Sequence, residues 1–324
     1  MRIVSLLPAA TDWLVAFGAA GSVVGRSHEC DAPEVAGAPV VSRPTVPTEG
    51  DSAAIDAVVQ GTLSEGLSLY DVDLGALRAL APDLVVTQAQ CAVCAVDLPT
   101  LERTLADWTD GQPALFSMEP MTYKQVLDAA LRLGRAAGRL PGAMPAVAEG
   151  EVRLKRLQDR LGLSRRDDPE DYPAVACVEW IEPLMTAGHW TPDLVRLAGG
   201  RAVCAEAGAP SQYVDWHALV EADPDVIAVT ACGLTVDQAL ADLHYLTERP
   251  AWTSLRAVRD GRVFAFDGNA YFNRPGPGLV RSVELLAAAL HGDRAGIEAE
   301  AWEMASASGQ RTAGSEQKAG MLPS

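Results

Sequence analysis

Asp73-Leu74-Gly75-Ala76-Leu77-Arg78-Ala79-Leu80-Ala81-Pro82-Asp83-Leu84-Val85-Val86-Thr87-Gln88 is answered later in the chain by Asp215-Trp216-His217-Ala218-Leu219-Val220-Glu221-Ala222-Asp223-Pro224-Asp225-Val226-Ile227-Ala228-Val229-Thr230. Asp73 and Asp215, and likewise Asp83 and Asp225, stand 142 positions apart. Each copy reads as a short amphipathic helix, a Pro-Asp stop and a buried apolar strand. A helix–strand unit used twice predicts two similar α/β lobes. In open α/β sheets ligands bind beyond the carboxyl ends of the strands, so two such ends facing one another predict a cleft.

Outward from the repeat, Arg2–Leu7 reads as a first strand with Thr11–Phe17 as its helix, and Val23–Arg26 as a second strand. Ser52–Ser64 and Leu98–Asp107 read as helices and Ala114–Ser117 as a strand, which completes an N-terminal lobe over residues 1–120. Tyr123–Arg139 is helical up to Pro141-Gly142, and Pro145–Leu161 forms a second helix, within a helical connection over 121–165. That second helix is long enough to bridge two small lobes. The C-terminal lobe spans 166–292, with a strand at Ala174–Val178 and a helix from a capping Thr191 and Pro192. A helix at Val236–Tyr245, a strand at Arg262–Phe266 and a last helix to His291 follow. Residues 304–324 are small and polar and are expected to be disordered.

The formal net charge of −17 excludes nucleic acid and an anionic membrane surface as partners. No stretch approaches the roughly 20 apolar residues of a membrane span. Ile3–Leu7 is short of the apolar core of about 7–15 residues that a secretory signal needs, so a cytoplasmic location is expected. Six cysteines in such a chain are expected to be reduced, serving as buried, metal-binding or reactive thiols.

The polar and aromatic residues that follow the strands are the candidate ligand contacts. His28, Gln88, Glu179 and His189 would supply polar groups, and Trp180, Trp190, Tyr271 and Phe272 an apolar wall. Arg274, in the turn Arg274-Pro275-Gly276-Pro277-Gly278, would direct a cation at an anionic ligand group. Cys91 and Cys94 have the spacing of half a thiolate site. His28, Cys30 and Cys232 would complete a centre for zinc or iron, against the alternative that each thiol is a small buried hydrophobe. No phosphate loop, nucleophile elbow or hydrolytic triad is present.

Arg2-Ile3-Val4-Ser5-Leu6-Leu7-Pro8-Ala9-Ala10-Thr11-Asp12, then Val23-Val24-Gly25-Arg26 and Cys30-Asp31-Ala32-Pro33, resembles the opening of the cobalamin/iron-siderophore class of ABC-importer substrate-binding proteins. Both Pro-Asp units and Gly261-Arg262-Val263 extend the resemblance over about residues 1–292. It implies two Rossmann-like lobes joined by a single backbone helix, with cobalamin, haem, a ferric siderophore or another metal chelate held between them. The nearest branch is the cobalamin-binding one, here without a signal. The family docks on its permease through one glutamate per lobe, and the matching positions are Gly75 and His217. Permease docking is therefore not expected. Two readings remain: a cytoplasmic binding protein for a corrinoid or related chelate, and a metal-handling protein or metalloenzyme using the His/Cys set, with Glu179 as acid or base.

Overall fold

The computed structural model describes residues 1–46, 49–65, 68–88, 101–102, 105, 112–163, 171–300 and 303–307. In the N-terminal lobe β1 (Ile3–Ser5) leads into α1 (Pro8–Ala16), which begins three residues before the expected Thr11 because Pro8 is tolerated in a first helical turn. Then come β2 (Val23–Arg26), β3 (Ser42–Pro44), α2 (Ser52–Ser64), β4 (Tyr70–Val72), α3 (Leu74–Ala79), β5 (Leu84–Thr87) and β6 (Ala114–Ser117). Strands β2-β1-β5-β6 form a parallel sheet, and β3 pairs antiparallel with β4. Of the expected helix at 98–107, residues 101, 102 and 105 are helical and the rest lie outside the described residues.

Helices α4 (Tyr123–Ala136) and α5 (Leu140–Leu161) connect the lobes. Thr122 caps α4 by accepting from the Gln125 amide. Helix α5 starts five residues before the expected Pro145, because Pro141 fits its first turn and Pro145 is accommodated inside the helix. Its 22 residues span about 33 Å. It ends on Gly162, whose left-handed backbone (φ 72°) suits a residue without a Cβ.

The C-terminal lobe contains β7 (Ala174–Trp180), β8 (Met185–Thr186), α6 (Thr191–Leu197), β9 (Arg201–Ala202), β10 (Gln212–Tyr213) and α7 (Trp216–Ala222). These are followed by β11 (Val226–Val229), α8 (Val236–Asp242), α9 (His244–Thr247), α10 (Arg256–Arg259), β12 (Val263–Phe266), α11 (Leu279–His291) and β13 (Met304–Ser306). The parallel core is β7-β11-β12, with β9 parallel to the start of β7. Strands β8, β10 and β13 add antiparallel edges. Met304–Ser306 is thus ordered in the sheet, against the expected disorder from 304, because its backbone completes the free edge of β12. Residues 308–324 lie outside the described residues. Thr191 is the first helical residue of α6 rather than its cap, and its side chain makes no cap bond.

The repeated Pro-Asp has one structural use in both lobes. Asp83 accepts a hydrogen bond from the Arg2 amide (2.6 Å) and Asp225 from the Ala174 amide (2.8 Å), so each ties the repeat unit to the start of its lobe's first core strand. Strands β5 and β11 are buried along their whole length, as central parallel strands must be.

One apolar cluster runs through both lobes. It joins Trp13 and Phe17 of α1 to Val147, Leu154, Leu157 and Leu161 of α5, and these to Val195, Val283 and Leu286 of the second lobe. The buried stripe on α5, at 143, 147, 154, 157 and 161, has the period of a helix face. A Cβ on Gly142 would run into the Phe17 carbonyl, which is backbone and cannot swing away. Gly142→Ala is therefore expected to lower the unfolding free energy by about 1–3 kcal/mol. Gly61→Ala, on α2 with no neighbour within reach of the new methyl, is expected to raise it by about 0.5–1 kcal/mol. Urea-denaturation midpoints measure both.

Candidate functional site between the lobes

A cavity of about 110 Å³ lies where strand ends of the two sheets meet. The first lobe contributes Leu7, Pro8 and Ala9 after β1, Glu29 after β2, Tyr70 of β4 and Gln88 after β5. From the second lobe come Cys232 and Gly233 after β11, and Gly268, Asn269, Asn273, Arg274 and Pro275 after β12. This is the crevice beyond the carboxyl ends of parallel strands, built twice and turned face to face. Its loops are tightly held. Asn273 Nδ2 donates to the carbonyls of Thr230 (2.9 Å) and Gly268 (3.0 Å), while Asp267 Oδ1 accepts from the amides of Asn269 and Ala270. A Cβ on Gly268 would collide with the Ala231 carbonyl, so only glycine allows this close approach.

Three expected residues, Gln88, Cys232 and Arg274, line the cavity. His28 stands one row behind it, Nδ1 2.8 Å from Ser42 Oγ and its ring 5.5 Å from that of Tyr70. Glu179 accepts from Ser211 Oγ at 3.0 Å, and the same hydroxyl lies 3.4 Å from His189 Nδ1. Burial lowers the pKa of His189, whose backbone is left-handed at φ 51°.

The expected aromatic wall is not there. Trp190 donates from Nε1 to the Phe272 carbonyl (2.6 Å), and Phe272 is fully buried against Phe266 with ring centroids 5.1 Å apart. Both rings fill the core beneath the cleft. Trp180 turns toward α2 and donates to the Ser52 carbonyl (3.2 Å), and Tyr271 donates to Glu303 (3.0 Å). None of the four lines the cavity, and Trp180 and Tyr271 stay half-buried beside it. The thiol of Cys30 is likewise withdrawn, 2% exposed, 3.0 Å from Thr11 Oγ1, with burial raising its pKa. Cys91 and Cys94 lie outside the described residues. Among the described residues no group of three or more His, Cys, Asp or Glu is placed to share a metal ion. The expected pairing of His28 with Cys30 and Cys232 is therefore not formed.

Arg274 has a different task from the expected one. Its guanidinium grips Asp31 with two bonds (2.7 and 3.0 Å) and lies 3.8 Å from Asp12, so two carboxylates of the first lobe already neutralise it. Beside it Trp13 Nε1 donates to the Pro275 carbonyl (3.0 Å). The rigid turn after residue 273 is thus a latch between lobes. Asp12 and Asp31 carried no signal in the sequence, because their shared partner lies more than 240 positions away.

The family model described as periplasmic binding protein matches residues 3–270. The chain belongs to that family. The periplasmic vitamin B12 binding protein of Vibrio cholerae is similar in structure, with 18% identity, a TM-score of 0.63, and 92% of this chain and 98% of that chain covered. A periplasmic heme binding protein from Pseudomonas aeruginosa has 20% identity and a TM-score of 0.64, covering 90% and 92%. A possible iron-binding, periplasmic solute-binding protein from Staphylococcus epidermidis has 17% identity and a TM-score of 0.65, covering 90% and 98%. No curated protein matches this chain. The fold is the α/β architecture of these binding proteins, two lobes with parallel-rich sheets about a cleft, and no helix among the described residues is long and apolar enough to cross a membrane.

Burial pushes the Asp12 carboxyl up to about 6, against the pull of Arg274 and with Asp31 and Glu34 adding to the rise. The folded state therefore favours the protonated form more than the unfolded chain does, while the carboxylate beside Arg274 persists above pH 6. The associated stability is complete below the unfolded value of 3.8 and is lost as pH rises through about 6, an effect on the order of 3 kcal/mol. Asp31, held low by the Arg274 bonds, acts in the opposite sense and loses its contribution as pH falls below 3.8. Asp12→Asn is expected to gain on the wild type in urea unfolding as pH rises from 4 to 6; a constant difference across that window would contradict the assignment.

Proposed function

We propose that the protein binds a corrinoid or related metal chelate between its lobes, in the cytoplasm, without docking on a permease. The observation that carries the reading is the inter-lobe cavity, walled by loops that follow strands of both lobes in a chain that matches the periplasmic binding protein family over residues 3–270. Similar structures named for vitamin B12, heme and iron support the ligand class. Gln88, Asn269, Asn273 and Cys232 are the side chains set to meet the ligand, with Tyr70 and Pro8 as apolar surface. Pockets for ligands of drug size measure roughly 300–1,000 Å³, so a chelate of that size needs more room than the cavity of about 110 Å³ offers, and the reading includes a parting of its walls on binding.

The cytoplasmic part of the reading is supported by thiol chemistry. Among the described residues Cys30, Cys177, Cys204 and Cys232 are free thiols, the form that a reducing compartment maintains. Against docking stand Gly75 of α3 and His217 of α7, exposed at the positions where the family presents its glutamates. Neither supplies the negative charge that orients the encounter with a basic permease surface. The metal-centre reading gains no support from the described residues, since Cys30 is sealed in the core.

Anaerobically purified protein titrated with cyanocobalamin and with haem in a calorimeter is expected to bind one of them at one site per chain. Gln88→Ala should weaken that binding about tenfold through the loss of one ligand contact, and Asn273→Ala should weaken it by freeing the loop that its amide ties to the Thr230 and Gly268 carbonyls. No heat with either chelate would remove the reading.

A further inference from the structure

Helix α2 belongs to the first lobe by sequence, between β3 and β4, and to the second lobe by contact. Its apolar residue Ile55 packs against the C-terminal cluster formed by residues such as Ile181, Leu234 and Leu246. Among the described residues, no member of α2 joins either cluster of the first lobe. Polar contacts repeat the pattern. Asp242 accepts from the Ser52 amide (2.7 Å), placing a carboxylate at the N-terminus of a 13-residue helix where it complements the backbone dipole. Trp180 Nε1 donates to the Ser52 carbonyl (3.2 Å), Tyr245 OH to Asp51 (3.0 Å) and Tyr213 OH to Asp56 (2.9 Å), while Gln60 donates back to Tyr213 OH (3.0 Å).

We infer that α2 is a releasable strap that gates the cleft. It is a bridge from the first lobe onto a C-terminal cluster separate from the apolar seam around α5, so the two connections between the lobes differ in kind. The seam is continuous and apolar. Among the described residues Ile55 is the one member of α2 that joins an apolar cluster, and its polar contacts with the second lobe are hydrogen bonds, several of them exposed, which exchange for water when they break. Ser52 Oγ is buried there with no partner, a penalty of the closed state that opening relieves. Contacts of this kind open ahead of a packed core. Release of α2 widens the cleft while the seam keeps the lobes attached. The gating of ligand entry rests on the ligand-binding reading of the cleft, whereas the strap's own opening does not.

The test uses the full chain carrying Tyr213→Phe, Tyr245→Phe and Asp242→Asn together. Hydrogen exchange of the α2 amides is expected to quicken about tenfold while those of β1, β5, β7 and β11 are unchanged. Stopped-flow mixing with haem and with cyanocobalamin should show faster association for whichever binds, by a similar factor. If α2 exchanges at the wild-type rate, or if α2 loosens without any change in association of a probe that does bind, the inference is overturned. If neither probe binds wild type or variant, the ligand reading fails and the exchange data alone decide the strap. Should the triple variant not fold, Tyr213→Phe, at a side chain on the surface, gives the same readouts at smaller amplitude.

Discussion

The apolar seam around α5 is the constraint on which the remaining architecture depends. Two sheets that never hydrogen-bond to one another are held in a fixed relation because α1, α5, α6 and α11 share one buried cluster. Burial of this kind acts in proportion to area and without direction, so it sets how close the lobes lie but not how their loops meet. The meeting is specified by polar groups: Arg274 on Asp31, Trp13 on the Pro275 carbonyl, and the contacts of α2. A large apolar interface supplies attachment, and a set of smaller polar ones supplies alignment.

That division explains what the sequence discloses. The two Pro-Asp units place the parallel strands β5 and β11 within a residue, because a continuous apolar run bounded by a helix stop has few other solutions. Asp83 and Asp225 bond to strand starts that are 81 and 51 positions away, so the motif reflects a tertiary need that a local reading catches only as a turn. Of the cleft, the positions after strands are legible in outline, and Gln88, Cys232 and Arg274 emerge from them. Gly268, Asn269 and Asn273 follow β12 and fall under the same rule, but small polar residues in a loop carry no pattern that separates a cleft lining from an ordinary turn.

Those neighbours misled for a physical reason. A ring placed just past a strand can face the cleft or plug the sheet end, and amphipathic composition is the same in both cases. Trp190 and Phe272 plug, since the Trp190 indole donates to the Phe272 carbonyl and the Phe272 ring packs on Phe266. Charge partners are equally hidden. Arg274 reads as a free cation until Asp12 and Asp31 are brought beside it, and the docking side of α2 is undefined until Asp242 and Tyr245 arrive from across the chain.

Strand β13 carries a consequence for how the protein is made. Glu303, 4% exposed, binds Arg281 with both carboxylate oxygens and receives Tyr271 OH, and its carbonyl accepts from the Asp267 amide. Until residues 303–306 have left the ribosome, the nascent second lobe shows an open sheet edge along β12 and an arginine with half its partners missing. An unprotected edge is where a chain recruits a neighbour's strand. The risk of strand recruitment along β12 therefore lasts until this segment docks, and three residues of backbone remove it.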